Sequence, residues 1–555
     1  YGGRVSAIVD VQTRDGNKKE FAGKINSSPF NSKLLIEGPL KEYKPGESSS
    51  SYIVSYKNSY LDKSAPVIYP YINDGVLPYS FSDLYAKTSF VSAEGSYINF
   101  FGFNYRDKVA FPNSTSYNWK SNGYGTKFLL VPGSSKTIID GSITYSDYLI
   151  SQEETDNKPR SSGINGYNVS LNFTSFQREA DELKYGIEMT GFRTDFEIFN
   201  SFNRRINQFQ NTTEINGFIN YLRNFNRRFI AETGFRIQRY ASLQENSLEP
   251  RIRAKYIINN RWRLKGSAGR YSQNLLSAVS DRDVVNLFYG FLSGPRDLPD
   301  EFDGEEVRSK LQKANHAVFG VEFDVDFNSE INVEGYIKDF TQITNINRDK
   351  IFDNTPENSD KQSHLRESYI IERGQAYGFD ITYKYEAKQL YLWAVYSYNI
   401  VNRFDGIRTY QPHFDRRHNV NFLASYDFGK DLNWNANIRW NYGSGFPFTL
   451  TQGFYEQLDF NDGASTDFLT ENGNLGILYD DLNLGRLPYY HRLDASVKRI
   501  FKIPTKVEKK FNEATVILSA TNIYNRANIF YFNRVDYKRE NQLPFLPSLS
   551  VSYSF

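Results

Sequence analysis

Apolar and polar side chains alternate over long stretches of this sequence. At 549–555 the odd positions hold Leu, Val, Tyr and Phe, and the even positions hold Ser. In 377–386 and 434–442, one parity is largely aromatic or aliphatic and the other is mostly Asp, Thr, Lys, Asn and Arg. Because successive side chains of a β-strand point to opposite faces, this period predicts strands with one apolar and one polar face.

The composition bears on where such strands lie. Phe, Tyr and Trp make up 16% of the 555 residues, yet the mean hydropathy is −0.58. The apolar runs are fragments such as Phe128–Val131, far short of the ~18 residues of a membrane helix. A transmembrane barrel combines a polar average with many aromatics, because only alternate residues face lipid. A soluble sandwich or propeller also alternates, but strands of about 10–14 residues are long for one.

Short and long connections alternate between the predicted strands. The short ones are Pro132–Ser135, Asn259–Asn260, Asn328–Ser329, Ala387–Gln389 and Gly429–Asp431. The long polar ones are 61–80, 108–122, 150–163, 198–211, 274–313, 346–374, 446–488 and 525–545. Bacterial outer-membrane barrels have short periplasmic turns and long extracellular loops.

Counting strands through 17–555 predicts an all-β fold, a 22-stranded antiparallel transmembrane β-barrel. In lipid every backbone N–H and C=O must be paired within the protein, so the barrel must be closed. A barrel of this size is too wide for side chains to fill, and its lumen is therefore open or plugged.

Other classes of protein find little support. The chain has no cysteine, which excludes disulfides and thiolate chemistry, and its net charge of +2 gives no footprint for nucleic acid. It contains no serine elbow, zinc-protease helix motif or phosphate-cradling glycine loop. We therefore expect that it is not an enzyme and that it carries no cofactor.

Several motifs resemble those of TonB-dependent outer-membrane receptors. The opening Tyr1–Gly16 looks like the end of the plug domain of that family, where a Tyr-Gly-Gly turn precedes a last strand, here Val5–Val11. Further resembling stretches, in order along the chain, are Gly38–Leu40, Glu249–Arg251, Ala268–Gln273, Gly320–Glu322, Glu334–Lys338, Phe414–His418, Gly443–Thr449, Arg486–Asp494 and Asn522–Arg526. The resemblance divides the chain into 1–16, a C-terminal remnant of the plug, and 17–555, the barrel.

The resemblance implies import of a scarce nutrient across the outer membrane of a Gram-negative bacterium. The cargo classes of the family include siderophores, cobalamin, peptides and glycans, and the TonB–ExbB–ExbD complex pulls on the plug. A complete receptor would carry about 130–150 plug residues before Tyr1, which this sequence lacks, so we expect a barrel whose plug was removed, cleaved or left out of this sequence; a lumen filled by another chain is the secondary alternative. Abundant Asn, Lys, Tyr and Ile indicate a Bacteroidota-like source, in which a surface lipoprotein is a possible partner. Two alternatives remain: a structural subunit of an outer-membrane assembly, and a passive pore.

Parity singles out candidate ligand-binding residues on the lumen face of two strands: Asp380, Lys384, Asn435 and Arg439. We expect no metal site, although the acidic stretch with Asp300, Asp303 and Glu305 contains weak Ca²⁺ candidates, since Ca²⁺ prefers six to eight oxygen ligands.

Overall fold

The computed structural model describes most of the chain. The described residues are 2–111, 115–133, 135–154, 158, 160–178, 180–199, 204–278, 281–282, 287–295, 298–457, 474–505, 511–534 and 537–555. Tyr1 of the predicted plug remnant and 458–473 of the predicted loop 446–488 lie outside them. Within these ranges the α-helices are Leu61–Ile68 and Ser363–Arg366, and no described helix is long and apolar enough to span a membrane.

Twenty-two strands form one closed antiparallel barrel, as the alternation predicts. They are β1 Ala22–Ser27, β2 Asn31–Lys41, β3 Ser49–Ser59, β4 Tyr79–Val91, β5 Tyr97–Ala110, β6 Ser116–Leu130, β7 Thr137–Glu153, β8 Arg160–Phe176, β9 Glu182–Phe199, β10 Arg205–Asn224, β11 Phe229–Tyr240, β12 Glu245–Ile257, β13 Trp262–Gln273, β14 Gln312–Asp324, β15 Ser329–Ile346, β16 Tyr369–Glu386, β17 Leu390–Phe404, β18 His418–Phe428, β19 Trp434–Gly443, β20 Tyr490–Pro504, β21 Phe511–Thr521 and β22 Leu546–Ser554. Each pairs with the next, and β1 closes the cylinder on β22 from Lys24↔Ser554 to Ser27↔Val551.

The register keeps each strand's apolar face on the outside. Across β18 and β19, Phe422 pairs with Trp440 and Ala424 pairs with Ile438, while polar Asn421 pairs with Asn441 on the other face. The outer side chains are exposed in the isolated chain because lipid, rather than protein, would cover them. Aromatic pairs lie near both ends of this outer face, as expected for interfacial girdles; those on β18 and β19 are Phe428–Trp434 and Trp440–Tyr442.

Three connections predicted to be long are short, because the strands extend beyond the predicted boundaries. The loops at 108–122, 150–163 and 198–211 are reduced to 111–115, 154–159 and 200–204. β10 alone has 20 residues, about 65 Å of strand, which is more than a tilted strand needs to cross a bilayer. Beyond the bilayer both faces of a strand are wet, so the apolar period disappears from the sequence although backbone pairing continues.

The longer loops, at the end of the barrel that we term the loop end, fold back towards the lumen. A hairpin in the loop after β13 pairs Leu275–Ala278 with Gly290–Ser293. Ser293 exchanges hydrogen bonds with Thr194 of β9 and Thr212 of β10, at 3.1 and 2.9 Å between hydroxyl oxygens. The hairpin contributes to a buried apolar cluster of Phe196, Ile206, Leu276, Ala278, Leu292 and Tyr369. The loops therefore narrow the mouth of the barrel; the opposite end is termed the turn end.

Candidate functional site

The segment before β1 lies inside the barrel. The backbone N–H of Val5 donates to Gln273 of β13 at 3.1 Å. Ten residues later, Asp15 forms an ion pair of 2.9 Å with Lys87 of β4, whose side chain is buried. Since these strands are on different sides of the cylinder, residues 5–15 cross the lumen and are attached at both sides.

The prediction of a strand at Val5–Val11 is wrong, because these residues are described and form no strand. The alternation is suitable for a strand, but a strand also needs a neighbour to accept and donate its backbone hydrogen bonds. No barrel strand supplies one here, and Val9 and Val11 remain 85% and 78% exposed within the lumen.

The paired glycines at the start of the segment allow it to approach the wall closely. A Cβ on Gly2 would lie 2.2 Å from Nε of Arg236, so any larger residue would displace that side chain. Gly3 has a φ of +69°, a conformation that favours glycine. Arg236 is itself held by Glu188 at 3.0 Å.

The lumen wall beside this segment is a network of buried polar groups that sequence reasoning missed. Glu249, fully buried within the resembling stretch Glu249–Arg251, accepts hydrogen bonds from the backbone N–H and hydroxyl of Ser272 at 3.0 and 2.8 Å. Nearby, Gln238 donates to Glu214 at 3.0 Å. Buried polar groups need such partners, so this part of the wall is rigid and polar.

The four ligand-binding candidates lie on the inner face, but they do not converge. Asp380 and Lys384 belong to β16, whereas Asn435 and Arg439 belong to β19, three strands and therefore about 14 Å away. Lys384 is close to the turn end and pairs with Glu386 at 2.7 Å. Asn435 donates to Asp427 at 2.7 Å and to Ser425 at 2.9 Å. Arg439 is exposed on the lumen face, and its cross-strand partner on β20 is Asp494.

Two of the three predicted Ca²⁺ candidates in the acidic loop form ion pairs with an arginine instead. Asp303 and Glu305 lie 3.2 and 3.5 Å from the guanidinium of Arg373, and Asp303 occupies a tight turn with Gly304. Asp300 accepts the backbone N–H of Val307 through its own carbonyl. Across the described residues no group of three or more His, Asp or Glu side chains is arranged to hold a metal ion.

A buried ionic cluster connects three loops at the loop end. Arg348, only 6% exposed, donates to Asp281 at 2.9 Å and to Glu372 at 3.2 Å, and it also contacts Asp405. Tyr410 donates to Glu372 at 2.7 Å. Burial tends to lower the pKa of Arg348, but the surrounding negative groups raise it overall. The cluster fixes the relative positions of the loops.

We expect Asp405 to make this cluster sensitive to acid. Burial raises the pKa of its carboxyl group, but the N–H of Arg408 and the charge of Arg348 outweigh burial, so the pKa lies below the ordinary 3.8. A lowered folded-state pKa contributes stability above the unfolded value, and that contribution disappears as the pH falls through the folded value. We expect backbone amides in 405–410 to keep constant hydrogen-exchange protection from about pH 7 to pH 5 and to lose it below about pH 4.

The variant Asp405→Asn provides the reference for this experiment, since it removes the titrating group. Its loop protection should be lower than that of the parent chain at neutral pH and should change less on acidification. Equal acid sensitivity of the variant and the parent would show that another group controls the opening.

A cavity of about 520 Å³ lies at the loop end, among the loops that precede β18 and β20 and that follow β19 and β21. Its lining includes the guanidinium groups of Arg416, Arg526 and Arg539. Tyr490 also lines it; this residue opens β20 with the same parity as Asp494, which lies across from Arg439 on the lumen face. The Tyr490 side of the cavity therefore faces the lumen. Sequence reasoning missed it because its residues come from separate loops.

No protein-family model matches the chain, and no curated protein matches it. Solved structures do. The FrpB iron transporter from Neisseria meningitidis aligns at a TM-score of 0.65 and 13% identity, over 97% of this chain and 82% of that one. The ferric enterobactin receptor PfeA from Pseudomonas aeruginosa, solved as a mutant, aligns at 0.64 and 10%, over 97% and 81%. The siderophore receptor PirA from Acinetobacter baumannii aligns at 0.63 and 9%, over 97% and 81%. The chain therefore has the 22-stranded barrel fold of TonB-dependent outer-membrane receptors.

Proposed function

We propose that this chain is the barrel of an energised importer that carries a scarce nutrient across the outer membrane of a Gram-negative bacterium. The observation that carries the proposal is the segment 2–16, which lies inside a closed 22-stranded barrel and is attached to its wall. A barrel with chain inside its lumen needs a device to move that chain before cargo can pass.

The fold neighbours support a transport role rather than an enzymatic one. They include iron transporters, siderophore receptors and a copper transporter, each matched over most of its own length. A cargo of similar scarcity fits a barrel with inward-folded loops at one end and polar walls inside. Asp380, Lys384, Asn435 and Arg439 would then border the path of the cargo.

In this proposal 1–16, which resemble the end of a plug, belong to that domain, and 17–555 form the barrel. In this proposal the inner-membrane TonB–ExbB–ExbD complex acts on the plug, and cargo enters from the loop end, which faces outward. The proposal also includes a surface lipoprotein that covers the loops as a further partner.

The test is accumulation of labelled iron chelates and copper by cells that produce the full-length protein, with and without TonB. We expect accumulation that exceeds that of cells lacking the protein, and its loss when TonB is deleted or the proton gradient is collapsed. Accumulation that persists without TonB, together with steady conductance in planar bilayers, would instead indicate a passive pore. Neither accumulation nor conductance, with stable co-purifying subunits, would indicate a structural role.

A further inference from the structure

The three arginines of the loop-end cavity have no carboxylate partner among the described residues. Arg526 donates to the carbonyl of Tyr489 at 3.0 Å, and Arg539 donates to the amide oxygen of Asn541 at 2.7 Å; both acceptors are neutral. In addition, the Nε groups of Arg416 and Arg526 are buried without a hydrogen-bond partner in the described part of the chain. The cavity therefore concentrates positive charge that the described side chains do not neutralise.

Several other buried or half-buried arginines at the loop end are paired with acids. Arg348 contacts three carboxylates, and Asp415 accepts both Arg417 and Arg486, at 3.3 and 2.6 Å. Arg416 follows Asp415 directly in sequence, yet it extends away from it into the cavity. A desolvated charge is expensive unless it is paired, so the partly buried Arg416 and Arg526, which have no carboxylate partner in the described residues, point to an anion supplied from outside the chain.

Arg416 is held in position by aromatic rings. Its guanidinium carbon lies 3.9 Å from the ring centre of Phe446 and 5.7 Å from that of Tyr490. It also covers Gly443, where a Cβ would lie 2.4 Å from Nη1. Burial lowers the pKa of Arg416, and a bound anion would offset that effect. A donor group fixed in this way needs little reorganisation to bind.

Most of the remaining lining is apolar or aromatic, and Gln542 adds a neutral amide. Phe530, Ile529, Leu487 and Pro488 contribute rings and aliphatic groups beside the arginines. A volume of about 520 Å³ lies within the ~300–1,000 Å³ of cavities that hold a small-molecule ligand. Inorganic phosphate alone would leave most of this space and the apolar surface uncovered.

We infer that the loop-end cavity binds a small molecule that combines several negative charges with a ring or other planar apolar part. Arg416, Arg526 and Arg539 would pair with the anionic groups, and Phe446, Tyr490 and Phe530 would cover the planar part. This inference rests on the proposed function, since it assigns the cavity to the first binding of the cargo.

The test uses benzene-1,3,5-tricarboxylate as the probe and its neutral counterpart 1,3,5-tris(hydroxymethyl)benzene as the comparison, titrated calorimetrically into the complete protein in detergent. We expect the tricarboxylate to bind, and each of Arg416→Gln and Arg526→Gln to weaken binding roughly 10- to 100-fold, as loss of a charge-assisted hydrogen bond does. Arg308→Gln is the matched control, because its side chain is 83% exposed at the same end of the barrel and lies outside the cavity. It should bind as the parent does.

Equal binding of the neutral ring, no binding of the tricarboxylate, or unchanged affinity in both cavity variants would overturn the inference. Heat-dependent migration on electrophoresis verifies that each variant remains folded. The binding test of the cavity can be distinguished from the test of the proposed function, because the latter measures TonB-dependent accumulation in cells. Failed probe binding with intact accumulation would overturn the cavity assignment alone.

Discussion

Replacing Ile438 with arginine should destabilise the barrel by about 2–4 kcal/mol, the penalty for a charged side chain on the lipid face near the middle of a bilayer. Ile438 is 46% exposed on the outer face of β19. It lies between Trp434, near the turn end, and Trp440, nearer the loop end, which are about 20 Å apart along the strand. The measurement is reversible urea unfolding in lipid vesicles, followed by tryptophan fluorescence.

Ser496→Arg is the matched control, because Ser496 pairs with Asn437 at nearly the same depth but on the lumen face. Its cost should be well under that of Ile438→Arg, since the new side chain can remain hydrated. Similar destabilisation by the two substitutions would contradict the assignment of lipid and lumen faces.

Replacing Arg348 with leucine should have the second large effect, on the loops rather than on the barrel. Removing one partner of a buried ion pair costs about 3–5 kcal/mol, because the remaining charges stay buried. Here Asp281, Glu372 and Asp405 would lose their shared cation. We expect amide hydrogen exchange in 347–350 and 405–410 to accelerate by roughly a hundredfold or more.

An exposed pair supplies the control for that variant. Arg308 contacts Glu306 at 3.0 Å, and both side chains are largely exposed. Pairs of this kind contribute about 0–1 kcal/mol, so Arg308→Leu should leave exchange in the same segments unchanged. If Arg348→Leu also left it unchanged, the cluster would not be what joins the loops.

The closed barrel could be predicted from the sequence because one local pattern, alternation with period two, identifies most of the strands. The same pattern shows which side chains of each strand face outward and which face the lumen. The rule identifies Ile438 and Arg439 as outer and inner neighbours without any long-range information. It fails at 108–122, 150–163 and 198–211, where strands continue into water and alternation is no longer required. It fails again at Val5–Val11, since alternation does not reveal whether a strand has a neighbour.

The site was much less accessible to sequence reasoning. The ionic cluster joins Asp281, Arg348 and Asp405, which are more than fifty residues apart, and no local pattern connects them. The cavity likewise combines Arg416 with Arg526 and Arg539 from another loop. Parity did place Asp380 and Arg439 on the inner face, but it could not show that they are three strands apart.

A reversible disulfide between the lumen segment and the barrel wall tests most directly whether the chain inside the barrel must move for transport. Ser89 of β4 donates to Asp15 at 2.7 Å, and the chain has no cysteine of its own, so Asp15→Cys with Ser89→Cys creates one defined pair. The oxidised pair should abolish TonB-dependent accumulation, and a reductant should restore it to the rate of the single-cysteine variants. Accumulation at that same rate while the disulfide is intact would contradict the account, because the lumen segment would then play no part in opening the path.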